Sequence, residues 1–210
     1  SVDGNIYSYT FLYSYINYVY CSRFVDFSET DNVIEFGPGS GRQVEVMKKF
    51  HPHLNFYLVD LGPTLYLCHQ YLKAVFPDQV LPYTHTRDSD VISLRSQGDL
   101  AFIGNWSIDR ISPIGKSLSF SSAVFGLMTP ESTRRYLGCI SSFSDHIFMV
   151  ESANNDQREI YSLEGSACLP DFLEILGDEF LLADREPAFY PLSMREGFGG
   201  FEMMMWTRPA

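Results

Sequence analysis

Between Asn32 and Gly41 the chain reads Asn-Val-Ile-Glu-Phe-Gly-Pro-Gly-Ser-Gly, and no other stretch limits the fold as tightly. A short apolar run (Val33, Ile34, Phe36) enters a glycine-rich turn, and an amphipathic segment leaves it. That order predicts a buried parallel strand, a tight loop for a phosphate- or nucleoside-type ligand, and a helix. Gly37, Gly39 and Gly41 allow positive φ and admit a ligand where a Cβ would collide. A dinucleotide fingerprint, G-x-G-x-x-G, would place its third glycine at 42, which is Arg42. Glu35, two positions before Gly37, repels a pyrophosphate and suits a cationic ligand.

The rest of the chain reads as strands alternating with helices. Residues 5–24 are crowded with tyrosine; Ile6, Tyr9, Tyr13, Ile16 and Tyr20 recur at helical spacing. This N-terminal aromatic-rich segment, residues 1–30, is expected to be a helix whose tyrosines either wall a substrate pocket or pack on the sheet edge. Residues 31–210 form the main domain. Strand 33–36 is followed by helix 42–50, stopped by His51-Pro52-His53. Strand 54–59 is apolar nearly throughout and ends on Asp60, the position where an open α/β sheet holds a ribose-binding carboxylate. Gly62-Pro63 opens a second helix, with proline in the first turn. A third strand is predicted at 80–84 and a fourth at 99–103, while 111–127 gives no clear pattern. A helix starts at Thr129-Pro130 with a cap residue and Pro at N1. Strand 146–150, a helical section at 169–176 and strands 179–183 and 200–207 complete the order, with Gly197–Gly200 as the turn before the last strand. The fold class expected is α/β: a Rossmann-like, doubly wound, seven-stranded and mostly parallel sheet with a C-terminal antiparallel hairpin, in three α/β/α layers.

Charge narrows the partners. The chain has 210 residues, 26 acidic against 15 basic, for a net charge of −11. Such a balance repels phosphate backbones, so no nucleic-acid partner is expected, and none at an anionic membrane. No apolar run reaches the ~20 residues of a membrane helix. Cys21, Cys68, Cys139 and Cys168 form no C-x-x-C pair and read as buried thiols of a reducing, cytoplasmic protein. No signal peptide is visible, and a start at Ser1 fits a trimmed chain or a piece of a longer one. Oligomeric state is left open.

With Glu35-Phe36-Gly37-Pro38-Gly39-Ser40-Gly41, Asp60 and the terminal hairpin in place, the chain resembles the class I S-adenosylmethionine-dependent methyltransferases. The segment from Leu58 to Tyr66, continuing into Gln70-Tyr71-Leu72 and Phe76-Pro77, is similar to a bacterial family of sugar O-methyltransferases. The text after the predicted fourth strand, Trp106-Ser107-Ile108-Asp109-Arg110, departs from that family's pattern.

The resemblance implies S-adenosylmethionine as cofactor and a small-molecule acceptor, methylated at a hydroxyl. Gly37, Pro38, Gly39 and Gly41 would pass beneath the ribose and methionine portions, and Asp60 would accept the ribose hydroxyls. Glu35 would orient the loop or reach the cofactor's ammonium; a structural carboxylate bonding loop N–H groups is the other reading. Leu61 would lie against the adenine and Asn105 would border the methionine portion. Asp88, with Asp90 as its competitor, is the candidate for the adenine amino group. Asp109 is the candidate general base, unless it pairs with Arg110; His85 is the histidine nearest a strand end. Glu151 with Asn154-Asn155-Asp156 is the position to test for magnesium, but Gly104-Asn105 replaces the partner acid, so no metal is expected. The alternative function is a methyltransferase-like module that has lost catalysis and serves in binding or assembly.

Overall fold

The computed structural model describes residues 7–153, 166–188 and 200–209. Helix α1 (Tyr9–Cys21) is followed by β1 (Asn32–Phe36), α2 (Arg42–Phe50), β2 (Asn55–Asp60), α3 (Gly62–Val75) and the short α4 (Thr84–Arg87). Next come β3 (Leu100–Gly104), a 3-10 turn (Asn105–Arg110), β4 (Ser117–Ser122), α5 (Pro130–Phe143) and β5 (His146–Ser152). Helix α6 (Leu169–Leu176), β6 (Leu181–Pro187) and β7 (Phe201–Thr207) end the order. The seven strands run β3-β2-β1-β4-β5-β7-β6, with β7 antiparallel to both β5 and β6. The expected architecture is therefore the observed one.

Strand β1 is buried over all five residues, which its apolar text requires. Val33 joins the apolar cluster under α1, α2 and α3, whereas Ile34 and Phe36 join the cluster under α5 and α6. Strand alternation therefore turns Glu35 toward the α1–α3 layer. Edge strand β6 carries Asp184, Arg185 and Glu186, charges that discourage pairing with another chain.

Two strand assignments change. The stretch 80–84 is no strand: Val80 makes a single parallel bridge to Leu100, and the chain then turns into α4. Pro82 has no N–H to continue a ladder, and Thr86 instead donates from Oγ1 to the Phe102 carbonyl at 2.5 Å. The strand expected as the fourth is consequently β3, and the true fourth, β4, lies inside 111–127. Its text, Ser-Leu-Ser-Phe-Ser-Ser, hides a central strand because only Leu118 and Phe120 are apolar. The serines on its other face let α5 approach, and Ser119 Oγ meets Ser144 Oγ at 2.6 Å.

Helix α1 differs in facing. Its buried residues are Ser14, Asn17, Tyr20 and Cys21, while Tyr9 is exposed and Tyr13 half-buried. Ile6, the start of the predicted stripe, and Gly197 to Gly199 of the predicted turn lie outside the described residues. Tyr20 donates from its hydroxyl to Asp184 Oδ2 at 3.1 Å, and Tyr13 pairs with Ser122 Oγ at 2.8 Å, so α1 is tied to both β6 and β4.

Candidate functional site

In an open parallel sheet, ligands bind outside the carboxyl ends of the strands where the order reverses. Here that point lies between β1 and β4, neighbours from opposite halves of the winding. The glycine loop sits on it. Gly37, Gly39 and Gly41 have φ of 76°, 54° and 83°, in the left-handed region that side chains avoid. Contact adds a second reason at Gly37, where a Cβ would lie 2.3 Å from Val124 Cγ2. At Gly39 nothing lies within 4 Å, so that side of the loop is open.

Two cavities flank the loop and share Gly37 and Ser122. One, of about 470 Å³, is lined by Asp60, Leu61, Asn105, Ala123, Val124 and Met128, among others. Asp60 accepts the Leu61 N–H at 2.7 Å. Burial raises its carboxyl, and the N–H groups of Leu61 and Gly39 oppose that shift. Asn105 donates from Nδ2 to the Tyr136 hydroxyl at 3.0 Å. The other cavity, about 240 Å³, lies between the loop, α1 and α2, and includes Tyr13, Asn17, Glu35, Arg42 and Gln43 in its walls.

Glu35 faces the smaller cavity from inside the protein. It is 4% exposed, and its Oε2 has no hydrogen-bond partner among the described residues. Burial first, and the Asp60 carboxylate second, push its pKa up to about 8. A carboxyl in that state holds its proton at neutral pH until a cation arrives. Asn17 Nδ2, Asn17 Oδ1 and Gln43 Nε2 are likewise buried and without partners.

Glu151, at the end of β5, has the opposite surroundings. Fully buried, it accepts the Val124 and Phe125 N–H groups on Oε1 at 2.8 and 2.9 Å and the Gly126 N–H on Oε2 at 3.0 Å. Burial pushes its pKa up to about 7, against the pull of those three donors. The loop it holds includes Ala123, at the positive φ of 57°, and supplies one wall of the larger cavity. Both oxygens of Glu151 are thus committed to backbone; Asn154, Asn155 and Asp156 lie outside the described residues.

The structure therefore brings Glu35, Gly37, Pro38, Gly39, Asp60, Leu61 and Asn105 to the two cavities, with Gly41 capping α2 beside them. Four other candidates fall elsewhere. Asp88 follows α4, is exposed and forms a two-bond ion pair with Arg87. Asp90 and His85 are also exposed, and Asp109 is exposed on the 3-10 turn after β3; none of these lines either cavity. Their displacement follows from the strand reassignment: the residues after the true fourth strand are Ala123 and Val124. Sequence reasoning did not single out Asn17, Gln43 or Ser122. The signal available was Ser14 and Asn17, small polar residues three apart on one helix face within an aromatic run. A further cavity of about 550 Å³ lies between α3, Tyr83 and Trp106; no charged side chain lines it and it does not touch the glycine loop.

No family model matches the chain, and no curated protein matches its sequence. Solved structures do match in fold. Magnesium protoporphyrin IX methyltransferase (ChlM) from Synechocystis PCC 6803 with bound SAH superposes with a TM-score of 0.64 at 11% identity, over 99% of this chain and 90% of that one. Mitomycin 7-O-methyltransferase MmcR gives 0.63 at 11% identity, over 93% of this chain and 54% of that one. The O-methyltransferase NcsB1 from neocarzinostatin biosynthesis, in complex with S-adenosylmethionine and 2-hydroxy-5-methyl naphthoic acid, gives 0.62 at 15% identity, over 95% and 55%. The chain thus spans about half the length of MmcR and NcsB1, and it shares with all three the methyltransferase fold.

Proposed function

We propose that the chain binds S-adenosylmethionine across the two cavities and transfers its methyl group to a hydroxyl of a small molecule. The observation that carries this reading is the pairing of opposite chemistries around one glycine loop. On the larger-cavity side stands a strand-end carboxylate, Asp60, beside apolar Leu61, Val124 and Met128. On the smaller side, buried polar atoms of Asn17, Glu35 and Gln43 lack partners. A nucleoside fits the first set and a charged amino-acid end fits the second.

Asp60 would accept the ribose hydroxyls, each such bond contributing about 1.5–3 kcal/mol. Leu61 and Met128 would face the adenine, and Glu35 would ionise against the ammonium. When bound, the cofactor supplies a methyl group on a positively charged sulfur, already activated for displacement. The protein's part is then alignment: holding an acceptor oxygen at near-attack distance supplies several of the ~7–11 kcal/mol that orientation can contribute. The shared wall at Gly37 and Ser122, with Tyr13 bonded to Ser122, marks where the two cavities meet and where the acceptor would approach. Asp109 is exposed and lines neither cavity, so it has no place as a base in this reading. A sugar-like acceptor is the finer reading, supported by the text from Leu58 to Pro77.

Isothermal titration with S-adenosylmethionine and S-adenosylhomocysteine tests the reading, and a folded sample that binds neither would end it. A second reading, a binding module without turnover, is favoured by one fact. Among the described residues no histidine lines the two cavities, and Glu35 and Asp60 are the carboxylates there. Cofactor binding without methyl transfer across a broad panel of hydroxylated acceptors would select it.

A further inference from the structure

Buried side-chain amides almost always find hydrogen-bond partners. Asn17 is 1% exposed and Gln43 6%, yet Asn17 Nδ2, Asn17 Oδ1 and Gln43 Nε2 have none among the described residues. Both residues line the same 240 Å³ cavity, one from α1 and one from the first turn of α2. Two such amides opposed across one small space, beside Glu35 Oε2, are a set of donors and acceptors awaiting complements.

The chemistry of the set selects the complement. Asn17 Nδ2, Gln43 Nε2 and the Arg42 guanidinium, which also lines the cavity, offer donors suited to a carboxylate. Asn17 Oδ1 and Glu35 Oε2 offer acceptors suited to an ammonium. A phosphate would meet the Glu35 carboxyl, with the Asp60 carboxylate near enough to raise it further. An α-amino acid end, carrying one carboxylate and one ammonium, uses both halves. Asn17 is also held in place, because α1 is fixed on either side of it by Tyr13 to Ser122 and Tyr20 to Asp184.

Resting on the reading above, we propose that Asn17 and Gln43 are the specificity-determining residues for the amino-acid end of the donor, which makes α1 part of the binding site. They set the preference for a donor with that end over the same nucleoside without it. The nucleoside half, bound beside Asp60, is indifferent to them.

The test compares S-adenosylhomocysteine with 5′-methylthioadenosine, which keeps the nucleoside and lacks the amino-acid end, by titration calorimetry. Wild type is expected to bind the first at least 30-fold more tightly. Asn17→Ala and Gln43→Ala are each expected to weaken S-adenosylhomocysteine about tenfold and to leave 5′-methylthioadenosine within twofold. The near-isosteric Asn17→Asp and Gln43→Glu, which remove an amide donor without opening a hole, keep the comparison available where an alanine variant fails to fold, and the same loss is expected. An unchanged ratio, or a parallel loss of both ligands, overturns the assignment while leaving cofactor binding intact in wild type. Wild-type protein that binds neither ligand overturns the functional reading itself.

Discussion

Glu35 and Glu151 are the same residue, equally hidden, at the carboxyl ends of two strands separated by β4, and their surroundings are opposite. Glu151 has both oxygens on backbone N–H groups of the following loop. Glu35 has an oxygen without a partner, an acidic neighbour and an open cavity before it. A buried carboxyl costs stability unless it is bonded. The first is bonded by the fold and shapes a wall; the second is left for something the fold does not contain. Burial and residue type alone do not separate structure from function, whereas the hydrogen-bond accounting does.

The largest effect should come from breaking the satisfied member. Glu151→Ala strands up to three buried N–H donors at ~1–3 kcal/mol each, so urea unfolding should show a loss of about 3–5 kcal/mol. A loss below 1 kcal/mol would mean that the post-β4 loop does not depend on it. Glu35→Gln should act in the reverse direction. Its folded pKa of about 8 stands above the ordinary 4.5, so between those values the native state holds a proton that the unfolded chain releases. Wild-type stability from this group is therefore present below pH 4.5 and falls as pH rises to 8. Glu35→Gln lacks that fall and should be more stable at pH 8 by on the order of 2–3 kcal/mol, at ~1.4 kcal/mol per unit less relaxation, with no gain at pH 4. Parallel pH–stability curves for the two proteins would refute it.

The same variant should weaken S-adenosylmethionine by about tenfold, worth ~1.4 kcal/mol. In wild type, an ammonium bound beside Glu35 would draw its proton off, so complex formation at pH 7 should release close to one proton. Calorimetry in buffers of different ionisation enthalpy reads this, and Glu35→Gln should release none. Smallest is Gly39→Ala. Its Cβ meets nothing within 4 Å, leaving only left-handed strain of ~1–2 kcal/mol. Melting should therefore shift modestly while cofactor binding drops, because the added methyl faces the open side of the loop.

What was legible in the sequence was local. The Gly37–Gly41 loop announces itself because left-handed φ selects glycine, and Asp60 because strand β2 ends on it. The terminal hairpin was readable from apolar runs and turn residues. Strand β4 was not, since four of its six residues are serine and only Leu118 and Phe120 carry the apolar alternation. At 80–84 the apolar run reads as a strand, but Pro82 has no N–H to continue a ladder and the chain turns into α4. The spurious strand made β3 the fourth, and the hidden β4 restored the count at β5. Asp88 therefore follows a helical turn instead of a strand, and Asp109 follows the third strand instead of the fourth. Asn17 and Gln43 come together only through the docking of α1 on α2, a contact that no local pattern encodes.

That docking has a consequence for the order of assembly. Tyr13 reaches a partner 109 positions away and Tyr20 one 164 positions away. Contacts of such separation close large loops, which slows folding. On the ribosome, where a chain is made at ~5–20 residues per second, α1 would wait roughly 8–33 s for Asp184, 164 residues later, to emerge. Helix α1, synthesised well before its partners, is thus among the last elements to be seated, and the small cavity acquires its final wall late in folding.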